Sequence, residues 1–220
     1  IQAQSSGPIQ LLVVECRSDL SMRATVKLSV EASEIAPDAT LGELLDAKQS
    51  GRLVITLDPA DREPGQAPYQ GIVSLQEHRG SMIEPVSSAA EAIALYMKNS
   101  EQLDTRIWLS SNETHIGGLL LQRLPDSGGH AHLDPFVAAE GWTRIQTLGE
   151  TITDEELLTL TPSTILRRLF LEESAENGVR SFPPRTIRFA CRCSRTKVAD
   201  RKSTRLNSSH TDISRMPSSA

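Results

Sequence analysis

The chain has 220 residues, enough for one large domain or a domain with a smaller module. Apolar residues make up 38%, enough for a core, although aromatics stop at 4%. The net charge is −5; without residues 202–220 it is −7, from 20 cations and 27 anions, so the body is acidic, which argues against binding a nucleic-acid backbone as its main purpose.

Ile1 falls inside a strand pattern, so the chain is expected to begin within a domain. No apolar run approaches the ~20 residues of a membrane span, and no signal-peptide pattern is present. Ile9 to Glu15 is a compact apolar run and Met22 to Leu28 alternates, with Arg17-Ser18-Asp19 between them. They read as antiparallel neighbours or a hairpin. Cys16 ends the first strand and reads as a small surface or rim residue.

Thr40 to Ala47 is expected to be a short helix, with Thr40 and Glu43 spaced as a capping box. A strand from Leu53 to Leu57 follows, then a loop from Pro59 to Pro68, a strand from Tyr69 to Leu75, and a turn between Gly80 and Pro85. Val86 to Lys98 has helical periodicity, with Val86, Ala89, Ala90, Ile93, Ala94 and Met97 as the apolar face. Met97 there reads as core packing. Thr105 to Leu109 and Gly118 to Leu124 read as strands around a turn near Asn112. Gly117-Gly118 has no phosphate-loop or dinucleotide spacing and reads as a bulge or a close approach. The irregular mixture of strands and helices favours an α+β fold with a mostly antiparallel sheet and packed helices.

Asp126 to His132 reads as a linker. His130 and His132 form a His-x-His pair, but no nearby acidic or thiol partner completes a metal shell, so they read as solvated loop residues. Phe136 to Leu148 is amphipathic. Thr153 to Glu156 is a second capping box, and Thr161-Pro162 starts a further helix. Ile165, Leu166, Leu169 and Phe170 form its apolar face, Arg167 and Arg168 the other, and Gly178 its stop. Glu155 and Glu156 look like a carboxylate pair, yet their first-turn position is explained by the helix dipole. These helices carry a large apolar face, to be buried on the preceding domain or offered to partners.

After Pro183-Pro184 comes Arg188 to Val198, which holds Cys191 and Cys193 among Arg188, Arg192, Arg195 and Lys197. On a helix the two sulfurs would point nearly opposite ways; in an extended or turn segment they can face one partner. The cations favour the thiolate, which binds metal and attacks disulfides. Two thiolates on one metal, one disulfide between near neighbours, and a pair of inert structural thiols all remain open. Two thiolates fill half of a tetrahedral zinc shell.

Several stretches together resemble one family. They are Tyr69-Gln70-Gly71-Ile72-Val73; Tyr96 with Ser100 to Leu103 and Thr105-Arg106; Gly117 to Gln122 with Leu124-Pro125; Glu155 to Leu158 with Leu160; Leu166 with Arg168-Leu169 and Glu172-Glu173; and Phe189 to Arg195. In this order they resemble the redox-regulated heat-shock chaperone family, also called the 33 kDa chaperonin, from Ile1 to about Arg201.

The resemblance implies a cytoplasmic, ATP-independent holdase rather than an enzyme. In such proteins four cysteines hold zinc in the reduced, inactive state. Oxidants convert them to two disulfides, zinc leaves, and the metal module and a helical linker unfold, exposing apolar surface to unfolding client proteins. A homodimer in the oxidised state is implied, with no nucleic acid and no membrane. Carried onto this chain, Cys191 and Cys193 match the first pair of zinc ligands.

The expected organisation is an α+β substrate-binding domain over 1–127, a helical linker over 128–186, the start of a cysteine switch module over 187–201, and a disordered or artefactual tail over 202–220. The family's later Cys-x-x-Cys and N-terminal helical segment are not found, so the chain is expected to be truncated at both ends and to retain zinc weakly or not at all. His210 in the tail is not expected to complete the shell. The other readings are a thiol-disulfide oxidoreductase using the same cysteines and a zinc-ribbon binding module; the first lacks a Cys-x-x-Cys motif at a helix start, and the acidic body disfavours the second.

Overall fold

The computed structural model describes residues 1–45, 51–59, 61, 63, 65–73, 75–79, 81–124, 134–177 and 179–190. Its contacts divide into two units, Ile1–Val14 with Ala24–Pro184, and Glu15–Arg23 with the chain from Arg185 onward.

The largest sheet contains β1 (Gln2–Gln4), β2 (Ile9–Cys16), β3 (Ser21–Leu28), β4 (Arg52–Leu57), β5 (Tyr69–Val73) and β10 (Arg188–Phe189), in the order β10-β3-β2-β1-β4-β5. β1 runs antiparallel to both β2 and β4, with Ala3 opposite Leu12 on one side and Leu53 on the other. β4 and β5 pair antiparallel from Leu53 with Val73 to Leu57 with Tyr69. The two-residue alternation of a strand sends Ala3, Leu53, Ile55 and Val73 to one face, where they are buried with Leu45, Leu75, Val86, Ala92 and Tyr96. The α+β class is as expected from the sequence.

Helix α1 (Leu41–Leu44) is held by the expected capping box. Thr40 Oγ1 accepts from the Glu43 N–H at 3.2 Å, and Glu43 Oε2 accepts from the Thr40 N–H at 2.8 Å. Leu45 is its C-cap; Ala47 lies outside the described residues.

Two expectations need correction. Between Gly80 and Pro85 the chain does more than turn: β6 (Gln76–Arg79) and β7 (Met82–Pro85) form a hairpin, with Gln76 opposite Pro85. Proline is accommodated there because it stands at the strand's end. Helix α2 spans Ala89–Ser100, not Val86 to Lys98. Ser88 is its N-cap and accepts from the Glu91 N–H at 3.2 Å, while Val86, fully buried, donates its N–H to the Leu75 carbonyl. The face that enters the core is Ala92 and Tyr96, with Leu95 and Met97 packed beside it. An alanine-rich helix has apolar residues on every side, so its orientation is chosen by Tyr96. That ring lies over Gly71, where a Cβ would come within 2.5 Å of Tyr96 Cε2. Met97 packs against the core as expected.

Tyr96 is buried, and its hydroxyl donates to Glu101 Oε1 at 2.7 Å. Burial, and then the Glu101 carboxylate, push its pKa up to about 12 from 10.0. A raised folded pKa contributes stability that is fully present below the unfolded value and lost as pH rises through the folded one, here between about 10 and 12. Tyr96→Phe is expected to cost about 1 kcal/mol at neutral pH. It should also flatten the alkaline loss in that window, as read from urea unfolding midpoints against pH.

The second core lies between a hairpin and three helices. β8 (Thr105–Ser111) and β9 (Ile116–Gln122) pair antiparallel. Helices α3 (Pro135–Gly149), α4 (Asp154–Thr159) and α5 (Pro162–Asn177) follow. Leu157, Ile165, Leu169 and Phe170 are buried together against Trp108, Leu119, Leu121, Ile145 and Leu148. The expected apolar face of α5 is therefore realised. Its expected stop, Gly178, is outside the described residues.

Candidate functional site

The chain approaches its cysteine pair through β10, which joins the start of β3 in parallel, Arg188 opposite Ser21 and Phe189 opposite Met22. Arg188 N–H donates to Leu20 O at 3.2 Å and Ala190 N–H to Met22 O at 3.1 Å. Asp19, in the turn between β2 and β3, accepts from the Ser21 N–H at 2.9 Å and from Arg188 Nη2 at 2.5 Å. Hydrogen bonds from Ser21, and then the Arg188 guanidinium, hold its carboxyl far below the usual range. Arg185 Nη2 donates to Ser18 O at 3.0 Å. The side chains of β10 remain in water, Phe189 at 76% exposure, so backbone bonds and one exposed ion pair hold it. Exposed pairs contribute about 0–1 kcal/mol.

Cys191 follows Ala190 directly. Cys191 and Cys193 lie outside the described residues, as do His130, His132 and His210. Cys16, at the end of β2, is exposed and unbridged, as expected of a rim residue. Among the described residues no group of three or more His, Cys, Asp or Glu side chains is placed to hold a metal ion. No described helix is long and apolar enough to cross a membrane.

The helices beyond β9 are fixed by their caps and by ion pairs between them, over the shared core. Asp134 caps α3 by accepting from the Phe136 N–H. Thr153 and Glu156 form the expected capping box of α4. Glu156 also binds Arg168 of α5 through both carboxylate oxygens, and Arg168 Nη2 reaches the Thr151 carbonyl at 2.8 Å. The Arg168 guanidinium, and then the Thr153 cap, hold the Glu156 carboxyl at about 2. Glu156 is thus a structural tie between two helices. Glu173 of α5 accepts from Arg144 of α3 at 2.6 and 2.9 Å, and that guanidinium keeps its carboxyl below the ordinary value.

Gly117 and Gly118 lie within β9, and the close approach expected there is real. A Cβ on Gly117 would stand 2.0 Å from the Leu157 carbonyl oxygen of α4. The neighbour is a helix rather than a strand.

A surface the sequence reading missed is the other side of the hairpin. Residues facing each other across the β8–β9 ladder share a face. Trp108 with Leu119 and Arg106 with Leu121 lie on one face, with Trp108, Leu119 and Leu121 packed against the buried helical cluster; Ile107 with Leu120, Leu109 with Gly118 and Ser111 with Ile116 occupy the other. Leu109, Leu120 and Ile116 are 50%, 55% and 87% exposed. The signal was present: in Leu119-Leu120-Leu121 both faces of the strand are apolar, where a half-buried strand would alternate.

Comparison with known proteins gives a consistent answer. The family described as Hsp33 protein matches residues 1–201. The chain is 41% identical over 200 residues to the 33 kDa chaperonin of Methylobacillus flagellatus, covering 91% of this chain and 58% of that protein. It is 40% identical to the 33 kDa chaperonin of Neisseria meningitidis serogroup A, again over 91% of this chain, and 57% of that protein. The chain therefore spans less than two thirds of the length of these curated relatives. The crystal structure of the 33 kDa chaperonin of Thermotoga maritima has a TM-score of 0.60 at 21% identity, over 92% of this chain and 63% of that one, a likeness of fold.

Proposed function

The chain belongs to the Hsp33 family, and from that we propose that the whole protein is a redox-regulated, ATP-independent holdase that binds unfolding proteins once its zinc-bound cysteines are oxidised. The observation that carries the reading is the family match through residue 201, which takes in the cation-flanked Cys191 and Cys193. We assign these two as one half of a zinc shell. The body over 1–127 is the client-binding part, 128–186 a helical linker, and 187–201 the start of the switch. The reading is of a cytoplasmic protein, a homodimer when oxidised, whose partners are unfolding clients rather than nucleic acid or membrane.

The described residues do not by themselves fit a zinc ion. They hold no ligand cluster, and their one cysteine is the exposed Cys16. Two thiolates are half of what a structural zinc takes. No step is therefore routed through the metal. What the described residues do supply is apolar surface beside a helical layer: Leu109, Ile116 and Leu120 outside, and Trp108, Leu119 and Leu121 beneath the helices. Displacing those helices would bare a second apolar patch on the opposite face of the hairpin, and patches of this kind bind partners non-specifically.

The test is light scattering from a thermally unfolding protein mixed with the whole protein, before and after peroxide. Suppression is expected only after peroxide. Equal suppression in both states defeats the switch.

A further inference from the structure

Strand β8 pairs with β9, and among the described residues no strand lies on its other edge. The ends of the hairpin show which groups face that edge. Asn112 N–H donates to the His115 carbonyl at 2.9 Å, and Arg123 N–H donates to the Asp104 carbonyl at 2.9 Å. Bonded pairs alternate along an antiparallel ladder, so Arg106, Trp108 and Ser110 turn their backbone groups to β9. Ile107 and Leu109 therefore aim their N–H and C=O outward. Among the described residues neither finds a backbone partner there.

That edge opens on a cavity of about 320 Å³, walled by Ala89 at the start of α2, by Ile107 and Leu109, and by Leu157 of α4. All of these belong to one compact unit. The polar residues of the lining are Ser88 and Asp154. The Ser88 hydroxyl already accepts from the Glu91 N–H, so few polar groups converge on a small polar ligand. An apolar side chain beside an unpaired strand edge suits a different occupant, an extended polypeptide.

We propose that the outer edge of β8 docks an extended apolar segment of an unfolding protein, which adds as a strand and lowers one side chain into the cavity. Main-chain bonds to Ile107 and Leu109 supply affinity whatever the sequence, and the cavity favours an apolar residue opposite it. Such a segment is what unfolding exposes. The exposed Asp154 at the cavity, on a body of net charge −7 over residues 1–201, favours segments with Lys or Arg beside their apolar residues. The occupant's identity rests on the chaperone reading; the geometry of the edge does not.

The test uses the 220-residue chain and a terminally blocked, fluorescein-labelled peptide, Lys-Leu-Thr-Leu-Thr-Leu-Lys, without peroxide. Amide exchange is resolved residue by residue by NMR. At a peptide concentration about ten times its Kd, exchange at Ile107 and Leu109 is expected to slow about tenfold. Arg106, Trp108 and Ser110, already bonded to β9, should not change. Leu109→Pro removes one outward N–H and no bond to β9, and should weaken binding, read by anisotropy, about two- to tenfold. Leu109→Val keeps that N–H and should bind like the parent. Ala89→Phe fills the cavity from another element and should also weaken binding.

Slowing at neither Ile107 nor Leu109, equal slowing along all of β8, or full binding by Leu109→Pro or Ala89→Phe would overturn the proposal. So would amides of Ile107 and Leu109 as slow as that of Trp108 in the chain alone, since a second copy or another segment would then hold the edge. A chain that takes the peptide in this pattern, from a parent that fails to suppress aggregation after peroxide, would sink the chaperone reading and leave the strand site standing.

Discussion

Serine at both Cys191 and Cys193 of the whole protein is expected to abolish the peroxide-induced gain in aggregation suppression, leaving oxidised and reduced samples alike. The hydroxyl keeps the size of the thiol but loses both of its reactions. It is not a thiolate ligand for zinc, and it cannot form a disulfide. The four cations around the pair are expected to favour the thiolate, and serine has no counterpart to that effect. Metal content should fall as well. Binding by a structural zinc site is worth about 10–16 kcal/mol in small peptides and depends on a full ligand set. The measurements are scattering from a heated client with and without peroxide, and zinc per chain in the purified protein. A double-serine variant that still answers peroxide like its parent would remove these cysteines from the switch.

Valine at Gly117 is expected to destabilise the second core strongly. The added Cβ would lie 2.0 Å from the Leu157 carbonyl oxygen and 2.7 Å from its carbonyl carbon. These are backbone atoms of a capped helix, so the whole of α4 must shift, and Leu157 shifts with it. Overpacking typically costs 1–3 kcal/mol, and with backbone as the obstacle about 3 kcal/mol is expected. Gly118→Ala is the matched control. Its Cβ would approach Leu109 Cδ2 at 2.9 Å, the end of a half-exposed, flexible side chain, and less than about 1 kcal/mol should follow. Urea unfolding midpoints of the two variants measure the difference. A Gly117→Val protein as stable as its parent would mean that α4 does not rest on β9.

What was legible in the sequence was what is decided over a few residues. The Thr40–Glu43 and Thr153–Glu156 boxes and Pro162 at the start of α5 were readable because a cap depends on spacing alone. The buried face of α5 was readable because Arg167 and Arg168 mark its opposite. The face of α2 was not, because Tyr96 is oriented by Gly71 on another strand, and no helical periodicity contains that strand. Strand β7 was hidden by Gly80 and Pro85, whose turn chemistry outweighed a four-residue pairing. The break in α5 at Phe170, where φ is −126° and ψ 25°, has no proline or glycine beside it to mark it. Of the candidate site, the sequence supplies only the proposal at Cys191 and Cys193, which lie outside the described residues. The docking of the preceding strand was not legible, since the Arg188–Asp19 contact joins residues 169 apart.

That separation has a consequence for biosynthesis. At about 5–20 residues per second, a ribosome that has delivered Asp19 needs roughly 8–34 s more to deliver Arg188. Through that interval the outer edge of β3 must go without β10, and a bare edge invites pairing with neighbouring nascent chains. Of the strands in this sheet, β10 is the last to be synthesised, and β3 keeps an unpaired edge until it arrives.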